Sequence, residues 1–161
     1  IKRVVFEIQE ELPNIKNFGT LSPIPGFRDW FVNLDEKLVK NILGNIPLEH
    51  VSFLKSSSLK IGDMRIISNK IAIYKLVAHY LMNEKNSKQL PINDVCRFHL
   101  GNGAIIDDIV INANISEVGF NRSFGVMVNY LYELKNIEKN HEEYINNKTI
   151  IISNKVKKLI Q

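Results

Sequence analysis

The sequence contains a single cysteine, Cys96, among its 161 residues, so no disulfide can form within the chain. A lone thiol fits a reducing compartment. Because Cys96 stands next to Val95 and close to Phe98, a small buried residue is a better interpretation than a reactive nucleophile.

Long apolar runs are also missing. Lys, Asn or Glu interrupts every hydrophobic stretch well before the ~20 residues that a membrane-spanning helix needs. Residues 1–5 show neither an initiator methionine nor a signal-peptide pattern, and they already have helical periodicity. We therefore expect a soluble chain whose first printed residue lies inside a longer protein.

Positive charge is in small excess, because 21 Lys and Arg residues against 17 Asp and Glu residues give a net charge of +4. The excess permits an anionic partner, whether nucleic acid, a membrane surface or a phosphorylated cofactor. The positive residues are dispersed among acidic ones, which makes a basic nucleic-acid-binding module a weak alternative. A hydrophobic fraction of 45% is typical of one folded domain.

Hydrophobic periodicity and turn residues predict an α/β domain without an internal boundary. Helices are predicted over residues 1–12, 30–43 and 67–81, with shorter ones at 93–99, 137–144 and 154–160. β-branched and aromatic residues predict strands at 17–21, 104–111 and 126–132. We expect a loop at 119–125 between the last two strands, and a loop with a short element at 45–65.

Two prolines and a glycine follow Ser22 and restrict the backbone to one path, at Pro23, Pro25 and Gly26. Such rigidity suits a hydroxyl that must point at a substrate group. On spacing alone, a stiff turn in which Ser22 caps local backbone groups is the simpler interpretation.

His99 lies shortly before two glycines, Gly101 and Gly103. Histidine is the side chain best suited to proton transfer near neutral pH. A histidine beside Phe98 is nevertheless more often a hydrogen-bonded core residue. The other three histidines have weaker contexts, and no pair has metal-ligand spacing with a carboxylate or cysteine, so we predict no metal site.

Alternation along residues 125–132 places Tyr130 and Tyr132 on one face of the predicted strand. Two tyrosines on one strand face are usually core aromatics whose hydroxyls find partners at an edge. The residues alone therefore predict an α/β domain with a rigid serine turn, one candidate acid or base and a basic balance.

Five segments resemble malonyl-CoA decarboxylases in order and spacing. They are LSPIPGF (21–27), AHYL (78–81), RFHLGNGA (97–104), GVMVNYLY (125–132) and IEKNHEEY (137–144). The resemblance runs over nearly the whole chain. It implies that residues 1–161 are the C-terminal part of a single catalytic domain with a GNAT-type acyltransferase fold, in which a mixed central sheet flanked by helices opens for the pantetheine arm of CoA.

The resemblance also implies site residues. The serine of LSPIP and the histidine of FHLGNGA are the family's catalytic pair and match Ser22 and His99. The second tyrosine of NYLY lines the family's site and matches Tyr132. The family has a further glutamate and a CoA pyrophosphate loop shortly before the helix that opens this chain, and neither can be located in residues 1–161.

The implied reaction is that of a lyase of fatty acid metabolism, which converts malonyl-CoA to acetyl-CoA and CO2. No metal or organic cofactor is expected, because the thioester itself accepts the electrons. We expect Ser22 to orient the leaving carboxylate and His99 to stabilise charge and deliver a proton, with Tyr132 in support, although the roles of Ser22 and His99 can be reversed.

Malonyl-CoA and acetyl-CoA are the expected partners, in a homo-oligomer without nucleic-acid or membrane contacts. The expected location is the cytoplasm, with an organellar matrix as the alternative. The first competing function is an acyl-CoA-dependent acyltransferase on the same fold, and the second is the basic nucleic-acid-binding module.

Overall fold

A computed structural model describes residues 2–161, and its centre is a three-stranded antiparallel sheet. The strands are β1 (Asn17–Pro23), β2 (Ile105–Val110) and β3 (Met127–Glu133), in the spatial order β1-β3-β2. β3 pairs with both neighbours, so the strand that carries both tyrosines is central. All three predicted strands are confirmed. A single parallel bridge joins Ile106 of β2 to Ile152 near the C-terminus.

Helices surround this sheet. In chain order they are α1 (Lys2–Glu11), α2 (Phe27–Val32), α3 (Glu36–Leu43), α4 (Glu49–Ser52), α5 (Met64–Ser68), α6 (Lys70–Met82), α7 (Asp94–Gly101), α8 (Glu117–Ser123), α9 (Ile137–Asn147) and α10 (Asn154–Ile160), with 3-10 turns at Phe53–Lys55 and Leu134–Asn136. Among residues 2–161, none of these helices combines the length and the apolar character needed to cross a bilayer.

Two predicted helices are each divided in two. The helix predicted over residues 30–43 is interrupted because Asp35 starts a new helix, its side chain accepting hydrogen bonds from the backbone N–H groups of Lys37 and Leu38. The helix predicted over residues 67–81 is preceded by the separate α5, with Asn69 between α5 and α6. Hydrophobic periodicity continues across both breaks, which is why the pattern predicted single helices.

The loop predicted at residues 119–125 is wrong for most of its length, because α8 occupies Glu117–Ser123. Ser116 starts this helix, since its hydroxyl accepts a hydrogen bond from the Gly119 backbone N–H. A Cβ at Gly119 would lie 2.3 Å from the Asn114 side chain, so the close approach of the preceding turn requires glycine there. The glycines that suggested a loop therefore serve the packing of a short helix.

The hydrophobic core lies against one face of the sheet. Val128, Tyr130 and Tyr132 of β3 are all buried on this face, as the alternation predicted. α6 is buried along most of its length and contacts α3 and α10, while α7 contacts β2 and α9. The central strand therefore carries core side chains and, at Tyr132, a hydroxyl that faces the helix bearing His99.

Candidate active site

Ser22 is the last residue but one of β1, and 6% of its surface is exposed. Alternation along the strand places Thr20 on the same face, and the two hydroxyl oxygens lie 3.2 Å apart. Pro23 disfavours the helical conformation for the residue before it, in agreement with the extended backbone of Ser22. The rigid segment thus presents the Ser22 hydroxyl toward the interior of the molecule.

The turn after Ser22 is held by two hydrogen bonds to one carbonyl. The Pro25 carbonyl accepts from the Tyr80 hydroxyl at 3.1 Å and from Nδ2 of Asn93 at 2.9 Å. Gly26 has a positive φ of 82°, and a Cβ there would lie 2.8 Å from the Tyr80 hydroxyl oxygen. The turn is therefore attached to α6 and to the start of α7, and Gly26 is the residue that permits the contact.

α7 carries His99, and Asn93 caps its N-terminus. Oδ1 of Asn93 accepts a hydrogen bond from the Cys96 backbone N–H at 2.8 Å, as the predicted capping role requires. Asn93 is only 2% exposed, and its Nδ2 group donates to Pro25. One buried amide therefore joins the turn after Ser22 to the helix that carries His99.

Three side chains meet in a continuous hydrogen-bonded chain. The Ser22 hydroxyl oxygen lies 3.0 Å from Nε2 of His99, and Nδ1 of the same ring lies 2.7 Å from the Tyr132 hydroxyl oxygen. Residues that are 77 positions apart in sequence thus come into direct contact. The structure brings together all three predicted site residues, and it places partners on both nitrogens of the imidazole.

Burial keeps this chain of side chains uncharged. It lowers the pKa of His99 from 6.5 to about 4, and it raises the pKa of Tyr132 above its usual value. His99 was predicted as an acid or base because histidine usually titrates near neutral pH. In this buried position it instead gains its proton only at acidic pH. At neutral pH His99 is an imidazole and Tyr132 a phenol.

A neutral imidazole has one N–H donor and one acceptor nitrogen, so two hydrogen-bonding patterns fit the distances. In the first, the Tyr132 hydroxyl donates to Nδ1 and the Nε2–H group of His99 donates to Ser22. In the second, His99 donates from Nδ1 to Tyr132, and Nε2 accepts from the Ser22 hydroxyl. In the first pattern the Ser22 proton can be donated to Thr20 or to a ligand, whereas the second is the arrangement of an activated nucleophile.

Two aromatic rings complete the surroundings of His99. The ring of Tyr130 stacks on the imidazole, with centroids 4.3 Å apart and planes inclined by 14°. Phe98 approaches edge-on at 5.3 Å and is 54% exposed, whereas Tyr130 is fully buried. The imidazole is therefore covered by Tyr130 on one face, and the neighbouring Phe98 side chain is exposed at the surface.

Ser22, His99 and Tyr132 do not line any of four cavities among the described residues. A cavity of about 600 Å³ lies where β1 begins and β3 ends, and Asn17 and Glu133 are among its lining residues. Neither Ser22, His99 nor Tyr132 lines it. Within residues 2–161 no cluster of three or more His, Cys, Asp or Glu side chains is arranged to hold a metal ion.

Sequence patterns did not single out Thr20, Asn93 and Tyr130 as parts of the site. The spacing of two residues between Thr20 and Ser22 in a predicted strand was a usable signal, because it places both hydroxyls on one face. Asn93 was predicted only as a helix cap, and Tyr130 only as a core aromatic. Asn93 also contacts Pro25, and Tyr130 also contacts His99. These contacts join segments that are distant in sequence, so local patterns do not show them.

Comparisons with known proteins agree on one family. The family model described as the malonyl-CoA decarboxylase C-terminal domain matches residues 1–161. The mitochondrial malonyl-CoA decarboxylase of Mus musculus is 32% identical over 99% of this chain, which spans 36% of that protein. The chain thus covers about a third of the length of this relative.

Solved structures lead to the same result. The crystal structure of malonyl-CoA decarboxylase from Rhodopseudomonas palustris matches with a TM-score of 0.82 and 34% identity, over 99% of this chain and 37% of that one. The enzyme from Cupriavidus metallidurans matches with a TM-score of 0.81 and 33% identity, over 98% of this chain and 42% of that one. Since the family model covers every residue and the fold matches these structures, the chain belongs to the malonyl-CoA decarboxylase family.

Proposed function

We propose that the protein carrying this chain decarboxylates malonyl-CoA to acetyl-CoA and CO2, with Ser22, His99 and Tyr132 at the reacting centre. The observation that carries the proposal is the buried hydrogen-bonded chain of these three side chains, in segments that resemble the family. In this proposal residues 1–161 form the C-terminal part of a single GNAT-like catalytic domain, and no metal or organic cofactor takes part.

The reaction needs an electron sink and a proton source. When the bond between the carboxylate carbon and C2 breaks, CO2 leaves and the electron pair delocalises onto the thioester oxygen as an enolate. The enolate then forms a C–H bond at C2 and becomes acetyl-CoA. A thioester enolate is a stronger base than the anion that an alcohol, an imidazole or a phenol leaves when it gives up a proton. Uncharged side chains of these kinds are therefore adequate proton donors.

The geometry favours Ser22 as the group that contacts the substrate. Both nitrogens of His99 already have partners, and Tyr132 is the more buried end of the chain. The Ser22 hydroxyl donates first to the malonyl carboxylate or the enolate oxygen, and then gives its proton to C2. Ser22 regains a proton from Nε2 of His99, Nδ1 takes the proton of Tyr132, and water reprotonates the phenolate.

Acyl transfer through Ser22 is the second candidate function, because a hydroxyl 3.0 Å from an imidazole nitrogen is also the geometry of a nucleophile and its base. In that case His99 takes the Ser22 proton, the Ser22 oxygen attacks the thioester carbonyl, and CoA leaves as the thiol. An acyl-serine then remains until an amine or a carrier thiol accepts the acyl group.

The test is to incubate the purified protein with malonyl-CoA in the absence of any acyl acceptor. Decarboxylation predicts equal amounts of CO2 and acetyl-CoA, whereas an acyltransferase consumes substrate only when an acceptor is added. Ser22→Ala and His99→Asn should lose most of the activity. Ser123→Ala and His79→Asn are matched controls that should retain it, since the first removes another buried serine and the second another histidine.

Location and assembly are proposed separately. The mouse relative is named as mitochondrial, which supports an organellar matrix over the cytoplasm for this protein. A homo-oligomer stays a prediction, and light scattering on the purified protein measures it directly. A monomer at micromolar concentration would contradict it.

A further inference from the structure

Tyr130 contacts the helix of His99 at two points one turn apart. Its ring stacks on the imidazole of His99, and its hydroxyl interacts with the thiol of Cys96, three residues earlier on α7. Burial raises the pKa of Tyr130, and it raises that of Cys96 to about 11, so both groups are uncharged at neutral pH. Tyr130 itself sits on the central strand, which is held by neighbours on both sides.

The imidazole of His99 can turn only about its Cβ–Cγ bond, and contacts at its edges and on its face oppose that rotation. Hydrogen bonds reach the edges of the ring at Nδ1 and Nε2. The Tyr130 ring lies almost parallel to the imidazole at 4.3 Å and opposes rotation toward its side. The stacked ring of Tyr130 therefore restrains the plane of His99 together with the two hydrogen bonds.

We propose that Tyr130 is a positioning residue of the active site, whose stacked ring holds the imidazole of His99 in the plane that aligns Nε2 with Ser22. The inference rests on the proposed decarboxylation and adds to it a residue that touches neither substrate nor proton. An aromatic face also attracts a cation, so the same ring favours the imidazolium form of His99.

The other groups that face His99 do not reproduce this effect. They are the hydroxyls of Ser22 and Tyr132, the edge of Phe98 and, behind Tyr130, the thiol of Cys96. All are uncharged, and burial is the cause of the lowered pKa of His99. The contribution of the Tyr130 ring can therefore be separated by changing its aromatic character at nearly constant volume.

The experiment compares Tyr130→Phe, which keeps the ring, with Tyr130→Met and Tyr130→Leu, which keep an apolar side chain without one. We expect Tyr130→Phe to retain kcat within about 3-fold of the unchanged protein. Tyr130→Met should lower kcat by about 10-fold to 100-fold with little change in KM, because misalignment affects the chemical step. Tyr144→Leu is the matched control, since it removes another buried tyrosine ring without an imidazole contact, and it should retain kcat.

A second measurement does not depend on activity. In an NMR titration, the pKa of His99 in Tyr130→Met should lie below that in Tyr130→Phe, because the aromatic face no longer favours the cation.

Equal kcat values for the Phe and Met variants, or equal losses in Tyr130→Met and Tyr144→Leu, would overturn the positioning role. Should either non-aromatic variant fail to fold, the other carries the comparison. If the unchanged protein has no decarboxylase activity, the proposed function fails, and the NMR comparison still decides whether the stack exists.

Discussion

The imidazole of His99 has a hydroxyl at each nitrogen and an aromatic ring beneath it, and all of these neighbours are uncharged. Its burial favours the neutral form, with a pKa of about 4. Neutral His99 can accept the Tyr132 proton at Nδ1 while it donates from Nε2. The imidazolium has donors at both nitrogens and cannot accept, so protonation should stop the proposed proton transfer.

The first prediction concerns pH. Because the pKa of His99 is lowered, this residue stays neutral between about pH 6 and 8 and should cause no change in kcat/KM there. The value of kcat/KM should decrease as the pH falls through about 4 and His99 is protonated. The anionic substrate favours the imidazolium, so the acid limb of kcat should lie at higher pH than that of kcat/KM. Steady-state kinetics across pH 3.5 to 8 measures both limbs, and an acid limb of kcat/KM near 6.5 would show that burial does not lower the pKa.

Removing the imidazole should have a large effect. His99→Asn should lower kcat by roughly 100-fold to 10,000-fold, the usual range for the loss of a proton-transfer group, and should abolish the acid limb. The folded state of the variant is checked by circular dichroism. Wild-type turnover in this variant would remove His99 from the mechanism.

Ser22 is proposed to contact the substrate and to give its proton to C2, while His99 acts through it. Ser22→Ala should therefore lower kcat by about 100-fold or more, as for the loss of one donor to a developing negative charge, and the residual rate should no longer show the acid limb of His99. Mass spectrometry of the quenched wild-type reaction should find no adduct. A malonyl or acetyl group on Ser22 would instead make this residue a nucleophile activated by His99.

At the scale of elements, the distance between Ser22 and His99 depends on how α7 sits against the turn that follows β1. Asn93 controls this placement, because its Oδ1 caps α7 while its Nδ2 donates to the Pro25 carbonyl. Tyr80 donates to the same carbonyl from α6 and interacts with the Asn93 side chain, but the cap of α7 comes from Asn93 Oδ1. A change at Tyr80 therefore weakens the attachment of the turn while the cap of α7 stays in place.

Asn93→Asp should keep the cap but lose the donor to Pro25, leaving two acceptor oxygens in contact. We expect a loss of about 1–3 kcal/mol in the free energy of unfolding, together with a decrease in kcat of about 10-fold or more. Tyr80→Phe, the matched control, should lower stability with a smaller change in kcat. Urea unfolding and steady-state kinetics supply the two values, and an unchanged kcat in Asn93→Asp would restrict the amide to a structural role.

At the scale of the whole molecule, ligand binding and stability are linked. CoA at about 100 times its dissociation constant should stabilise the complete protein against unfolding by about 2.7 kcal/mol, since it binds the folded state alone. Thermal unfolding with and without CoA measures the effect, and dephospho-CoA is a matched ligand that lacks one phosphate. No change in Tm at saturating CoA would count strongly against a CoA thioester as the substrate.

The amino-acid sequence by itself determined the α/β class and all three strands, because these depend on local spacing. Ser22, His99 and Tyr132 were predicted from the resemblance of segments such as LSPIPGF (21–27) to a family, and their roles stay predictions. The breaks at Asp35 and Asn69 and the helix over Glu117–Ser123 were missed. A side-chain cap at Asp35 decided the first break, and a cap at Ser116 with close packing at Gly119 decided the helix, while the hydrophobic pattern continued unchanged.

Only the tertiary structure decided which side chains contact one another at the candidate site. The 3.0 Å contact between Ser22 and His99 joins residues that are 77 positions apart, and the stack on Tyr130 joins a helix to the central strand. The lowered pKa of His99 follows from the burial that this packing creates. A pattern of neighbouring residues indicates which face of an element is buried, but the partners of a side chain, and therefore its charge, depend on segments that the pattern does not contain.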